Sequence, residues 1–269
     1  MNDVPTAAQL TRLTLIGLPN IPHVQPGDDL ATLLIASLEV AGLAIEPGDI
    51  LVITSKLVSK AEGRFVDLRT VEPSARACRV AERTRKDPRM VELILRESSA
   101  ISRMRPDVLI VRHRLGFTLA NAGIDHSNVG REGEDWVLLL PEDPDRSARQ
   151  IRQRLHDLAG IAPGVVISDS HGRPFRIGTV GVAIGLAGFP AAWDKRGQHD
   201  LYGRELHITV TGLGDELAAA AGLVSGQGAE GLPAVLVRGM TLPPGEGCAA
   251  DLVRPEALDL YADHQDAGE

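Results

Sequence analysis

Val165-Val166-Ile167-Ser168-Asp169-Ser170-His171-Gly172-Arg173-Pro174-Phe175-Arg176 is an apolar run that breaks abruptly into polar chemistry. Three β-branched residues predict a short buried strand, which stops at hydroxyls, a carboxylate, a histidine and a glycine turn before two arginines. An acidic group where a rigid strand hands over to a loop is held by the sheet yet remains open to a ligand. Ser168, Asp169 and Ser170 together offer oxygens to a hard cation. The same residues also suit a plain polar turn in which Asp169 bonds to its own backbone.

Residues 13–17 predict a strand, and Leu18-Pro19-Asn20-Ile21-Pro22 a shaped loop in which two prolines fix the backbone and remove two donors. Asp28 or Asp29 caps a helix running to Ala41, and residues 50–53 read as a buried strand with a polar exit at Thr54-Ser55-Lys56. Lys56 and Lys60 follow that strand directly, as phosphate contacts or as solvated surface charge. Helices are expected over 74–85 and 88–98, with Arg76, Arg79, Arg83, Arg85, Lys86 and Arg89 forming a basic region that answers nearby carboxylates or attracts an anionic substrate. Strands are expected at 108–111 and 136–140, separated by a loop, residues 121–128, rich in ligand-type side chains, and a helix at 143–159. Residues 178–188 alternate small and branched residues, the glycines permitting close backbone packing or sharp bends. Strands at 206–210 and 233–237 enclose an alanine-rich helix at 215–223 and the glycine-flanked loop Ser225-Gly226-Gln227-Gly228.

The totals narrow the classes of function. The 269 residues carry a formal net charge of -8 and only 3% aromatics, which argues against nucleic-acid and anionic-membrane partners. Cys78 and Cys248 have no metal-like spacing and fit free thiols in a reducing compartment. With no leader pattern in residues 1–10 and no long uncharged apolar window, the expected location is the cytoplasm. Neither a dinucleotide fingerprint nor a P-loop is present.

Gly17-Leu-Pro-Asn-Ile21, Thr54-Ser-Lys56 with Lys60, Asn121-Ala-Gly-Ile-Asp125 with Asn128, and Ser168-Asp-Ser-His-Gly-Arg-Pro174 occur in that order, with Lys86-Asp-Pro-Arg-Met-Val-Glu-Leu-Ile-Leu-Arg-Glu97 between them. Together they resemble the coenzyme F420-0:L-glutamate ligase family, from about Leu13 to Arg238. The resemblance implies a GTP- and divalent-metal-dependent enzyme that joins L-glutamate to the lactyl-phosphate end of the deazaflavin F420-0 through an acyl phosphate, then extends by gamma linkage. Mg2+ or Mn2+ is the implied metal, with K+ a further candidate. It also implies that Leu18, Pro19, Asn20 and Ile21 form a nucleotide loop, that Ser55, Lys56 and Asn128 contact the nucleotide with Ser225, Gly226 and Gln227, and that Lys60 binds phosphate. Asp125, Asp169, Ser170 and Gln227 resemble metal ligands, making Lys60 and Asp169 the candidate catalytic pair. His171 stands where relatives tend to carry an aromatic and suits a stacking role or proton transfer, while Arg173 and Arg176 suit substrate binding or structural ion pairs.

The expected fold is α/β (α+β), with mixed sheets, flanking helices and two intimately joined lobes. The ligase domain is placed at residues 1–245, with an inserted lobe around 75–150 and a C-terminal tail at 246–269; the resemblance implies an intertwined homodimer. Two other functions fit the same residues: a non-catalytic module that binds GTP or a deazaflavin, and a glutamate ligase acting on another phosphorylated carboxylic acid.

Overall fold

Continuous apolar runs in the central strands build a sheet buried on both faces. The computed structural model describes residues 12–130, 133 and 135–258; the expectations for residues 1–10 and for the end of the C-terminal tail lie outside the described residues. The strands are β1 (Thr14–Gly17), β2 (Ile50–Thr54), β3 (Phe65–Asp67), β4 (Ser98–Arg105), β5 (Val108–His113), β6 (Thr118–Ala120), β7 (Trp136–Leu138), β8 (Gly164–Gly172), β9 (Thr179–Ala187), β10 (Trp193–Asp194), β11 (Val210–Thr211) and β12 (Ala234–Arg238). The α-helices are α1 (Leu30–Val40), α2 (Ser55–Ala61), α3 (Ala75–Thr84), α4 (Pro88–Arg96), α5 (Pro144–Ala159) and α6 (Leu213–Ser225). The architecture is thus mixed α/β with several sheets.

The central sheet has the order β1-β12-β2-β8-β9, in which only β2 and β8 run parallel. Leu51, Ile53, Val165, Ile167 and Leu236 point into one core with Leu34 and Leu38 of α1 and Ile151 and Leu155 of α5. Ile50, Val52, Val166, Val235 and Val237 point the other way, against Leu217, Ala218 and Ala221 of α6. Side chains alternate faces along a strand, so continuous apolar runs are what a doubly covered sheet requires. A third core joins α3, α4 and β5 through Val80, Val91, Ile94, Leu109 and Val111, and a fourth beside it joins Leu68, Leu93, Val137 and Leu139.

Helix starts follow their sequence signals. Asp29, Ser74, Asp87 and Asp143 are the N-caps of α1, α3, α4 and α5, each accepting a backbone N–H, with prolines at the first turns of α4 and α5. Two glycines in β9 have a packing cause. A Cβ on Gly181 would fall 2.2 Å from the Ala218 carbonyl oxygen of α6, and one on Gly185 2.4 Å from the Pro144 carbonyl carbon of α5.

Several expectations are corrected. The strand holding Val165–Ile167 does not stop there: β8 continues through Asp169, Ser170 and His171 to Gly172, because β9 pairs with it beyond a bulge at Ile167/Ser168. Lys56 and Lys60 lie on a short helix, α2, rather than on a polar exit. The helix expected to reach residue 98 ends at Arg96, since Ser98 already pairs with His113 in β4 and β5. Residues 206–209 are not a strand; the paired residues are Val210–Thr211, against Trp193–Asp194. Among the described residues no helix is long and apolar enough to cross a membrane.

Candidate active site

Topology sends the chemistry to one end of the central sheet. β1 and β2 end there, β12 begins there, and β8, parallel to β2, passes Thr54 at Ser168 before reaching Asp169. Loops at the carboxyl ends of parallel strands are where open α/β sheets collect ligands. A cleft of about 700 Å³ opens at that edge, lined by Ile21, Ser55, Lys56, Lys60, Asp125, Asn128, Asp169, Ser170, Ser225, Gly226 and Gln227 among others.

Asp169 is clamped from both sides. Ser55, the first residue of α2, donates its hydroxyl to Oδ1 at 2.9 Å, and His171 Nε2 lies 3.1 Å from Oδ2. Burial works against the charged carboxylate, but these bonds and the neighbouring imidazole outweigh it and hold Asp169 below the ordinary aspartate range. Asp125 is held where its backbone exchanges both hydrogen bonds with Leu138 of β7. Its carboxyl is pushed up by burial, with the negative charge of Asp169 adding to the effect and Lys56 opposing it. The two carboxylates therefore sense one another across the cleft.

Lys56 Nζ stands 3.4 Å from Asp125 Oδ2 and donates to the Ser127 carbonyl at 3.1 Å. Lys60, one helical turn on, has its ammonium pushed down by burial and by the charge of Lys56. Two cations on one face of a short helix make a local electropositive wall opposite the carboxylates. On the far side, Ser170 Oγ donates to Gln227 Oε1 at 2.7 Å, and Asn128 Nδ2 donates to the Gly228 carbonyl at 3.4 Å, linking the loop after Asp125 to the loop after α6.

The structure thus brings together Lys56, Lys60, Asp125, Asn128, Asp169, Ser170 and Gln227, although they span more than half the chain. Of the first loop, Ile21 faces the cleft, whereas Leu18 is fully buried in the core and Pro19 gives its carbonyl to Ser37; Asn20 takes a left-handed backbone, φ 57°. His171 is buried behind Asp169, its ring 5.2 Å from Phe117. It therefore combines a tilted ring contact with a hydrogen bond, while Phe117 stacks on His113. Arg173 donates to the Ile177 carbonyl across the β8–β9 turn, and Arg176 is exposed in the same turn, both away from the cleft wall. The sequence reading missed Glu230, which accepts the Gly228 N–H at 2.8 Å and shapes the loop carrying Gln227. Only its carboxylate two residues after a glycine hinted at that bond.

Two carboxylates, a hydroxyl and an amide oxygen make a hard-oxygen set. Among the described residues no three His, Cys, Asp or Glu side chains are grouped to hold a metal, so a cation here would lean on two carboxylates, neutral oxygens and ligand phosphates. That is the usual habit of Mg2+ at phosphate sites, and the residues fit it.

The model of the F420-0:gamma-glutamyl ligase family matches residues 19–239. Coenzyme F420:L-glutamate ligase of Methanopyrus kandleri is 52% identical over 231 residues, covering 86% of this chain and 88% of that protein. The enzymes of the same name from Methanothermobacter thermautotrophicus and Archaeoglobus fulgidus are 47% and 43% identical, each over 93% of this chain and over 98% and 96% of their own lengths. With its family segments gathered at one sheet edge and its match running through nearly the whole sheet, the chain belongs to the F420-0:gamma-glutamyl ligase family and is a ligase.

Proposed function

We propose that this protein joins L-glutamate to coenzyme F420-0 in F420 biosynthesis, driven by GTP and a divalent cation. The observation that carries the reading is the convergence of Lys60, Asp125, Asp169, Ser170 and Gln227 on one cleft, within a chain matched to relatives named for that ligation.

A carboxylate is a poor acyl donor, so the terminal carboxylate of F420-0 first attacks the γ-phosphorus of GTP, breaking the β–γ bond and releasing GDP. The amine of glutamate then attacks the acyl carbon, phosphate leaves with the bonding pair, and the amine loses a proton as the amide forms. Such transfers depend on alignment and on neutralising the charge that builds on phosphoryl oxygens. Asp125 and Asp169, with Ser170 and Gln227, would hold the cation, Mg2+ or Mn2+, which supplies that neutralisation when bound. Lys60 and Lys56 meet phosphate oxygens from the α2 side, and Asn128 and the 225–228 loop border the nucleotide. Ser55 and His171 keep the Asp169 carboxylate oriented.

The proposed assembly is a homodimer. Leu201, Tyr202 and Ile208, in the segment between β10 and β11, and Phe175, in the β8–β9 turn, are all at least 90% exposed. Large apolar side chains presented in this way suit an interface between copies.

The test is incubation with F420-0, L-glutamate, GTP and Mn2+ or Mg2+, following GDP release and acceptor mass. Growth of the acceptor by glutamyl units with one GDP each is the expected result. GDP release that requires glutamate while the acceptor mass stays constant would instead assign another phosphorylated acid. No turnover in a folded protein that binds GTP would mark a non-catalytic module.

A further inference from the structure

All four oxygen groups proposed to hold the cation already have protein partners. Asp169 takes the Ser55 hydroxyl and the His171 ring, while Ser170 and Gln227 bond to each other. Asp125 differs, because its partner carries a full positive charge: Lys56 Nζ, 3.4 Å from Oδ2. The same ammonium is held by the Ser127 carbonyl, which fixes it over the carboxylate rather than leaving it in solvent. Lys60 lies on the same face of α2 but makes no ion pair within 4 Å among the described residues; its Nζ sits beside Gly130. The two lysines therefore do different things. One faces a carboxylate, and the other faces the open cleft.

We propose that the Lys56 ammonium is a resident counter-cation for Asp125, competing with the divalent cation for that carboxylate and moving to a phosphate oxygen when the cation arrives. This rests on the reading of Asp125 and Asp169 as cation ligands. A cation shared by the two carboxylates draws on the charge that Lys56 now neutralises, and like charges a few ångströms apart in a partly buried site repel. A lysine stem has the rotatable bonds to swing an ammonium away, and a nucleotide phosphate gives it a replacement partner. Cation and nucleotide then assist each other through Lys56 as well as through direct bridging, since a group that must leave one ligand's site is stabilised by the other ligand. Lys56 is thus a positioning residue that couples the two.

The sign of the effect is unusual, because removing a side chain from the cleft strengthens binding of one ligand. Free Mn2+ is titrated into the full chain without nucleotide and followed by electron paramagnetic resonance, comparing wild type with Lys56→Met, Lys56→Gln, Lys56→Arg and Lys60→Met. Lys56→Met and Lys56→Gln are expected to bind Mn2+ about tenfold more tightly, Lys56→Arg to stay near wild type, and Lys60→Met to change less than Lys56→Met. The factor by which added GTP tightens Mn2+ should also shrink in Lys56→Met. Equal or weaker Mn2+ binding by folded Lys56→Met and Lys56→Gln overturns the proposal, as does an equal gain in Lys60→Met, which would reveal only a general charge effect. Asp125→Asn separates the two levels of the argument. Loss of Mn2+ binding supports Asp125 as a ligand, whereas unchanged binding would overturn that underlying assignment itself.

Discussion

Asp169 shows how much a single side chain depends on its neighbours. Its carboxylate is aimed by a hydroxyl from the first residue of α2 and an imidazole two residues along its own strand, so both oxygens are oriented before any ligand arrives. Outer partners of this kind typically govern affinity by one to two orders of magnitude. Asp169→Asn is expected to abolish measurable glutamate-dependent GDP release. Ser55→Ala should lower it by about tenfold while leaving thermal stability close to wild type, because it removes orientation and not charge. Stopped assays of GDP on the two variants check both. His171 was legible as chemically interesting, but its ring packs at a tilt on Phe117 and orients Asp169 instead of facing the cleft, and only its burial against Phe117 reveals that.

At the scale of elements, β8 and β9 explain why the site is rigid. β8 carries the apolar triplet into the core and then, past the bulge, keeps pairing with β9 while presenting Asp169 and His171 on one face and Ser170 on the other. The length of β8 was hidden in the sequence because polar residues at a strand end look like a turn; the partner strand supplies the hydrogen bonds that hold them extended. The glycine pattern of β9 was legible as close packing, and the reason is α6 at Gly181 and α5 at Gly185. Gly181→Ala would drive a methyl into the Ala218 carbonyl and should destabilise the fold by about 1–3 kcal/mol, measured by urea unfolding. Activity should fall as well, since α6 leads into the loop bearing Gln227. Helix α2 escaped the sequence reading because seven residues with no side-chain cap carry little periodic signal.

For the whole molecule, the contact between the end of α4, the segment after α2 and the segment after β5 turns on Glu97. Its carboxylate lies 3.3 Å from Arg64 Nη2 and 3.0 Å from Arg114 Nε, while Arg64 also donates to the Leu140 carbonyl. Burial would raise this carboxyl, but the surrounding His113, Arg114 and Arg64 hold it down at about 2; His113 Nε2, at 3.6 Å, is beyond hydrogen-bond reach, so the guanidiniums dominate. A depressed folded value means that the stabilisation is complete above the ordinary glutamate range, near 4.5, and is lost as pH falls from there toward about 2. Glu97→Gln should therefore cost about 2 kcal/mol at neutral pH and flatten the acid side of the stability profile, as read by urea unfolding between those limits. For the proposed homodimer, Leu201→Glu combined with Tyr202→Glu is expected to give a monomer in sedimentation while circular dichroism is unchanged, because both side chains are almost fully exposed in the single chain.

The amino-acid sequence alone determined the buried strands around 50–53, 165–167 and 233–237, the capped start of α1 and the ordered segments that mark the family. Those are local properties: branched residues, side-chain periodicity and capping groups act over a few positions. Tertiary structure decided the rest. It made Asp125 and Asp169 neighbours although they are 44 residues apart, set Lys56 against a carboxylate and Lys60 toward the cleft, and left Arg173 and Arg176 away from its wall. Which polar groups meet depends on the strand order that gathers four loops at one edge, and on the burial that makes an unpaired charge costly there.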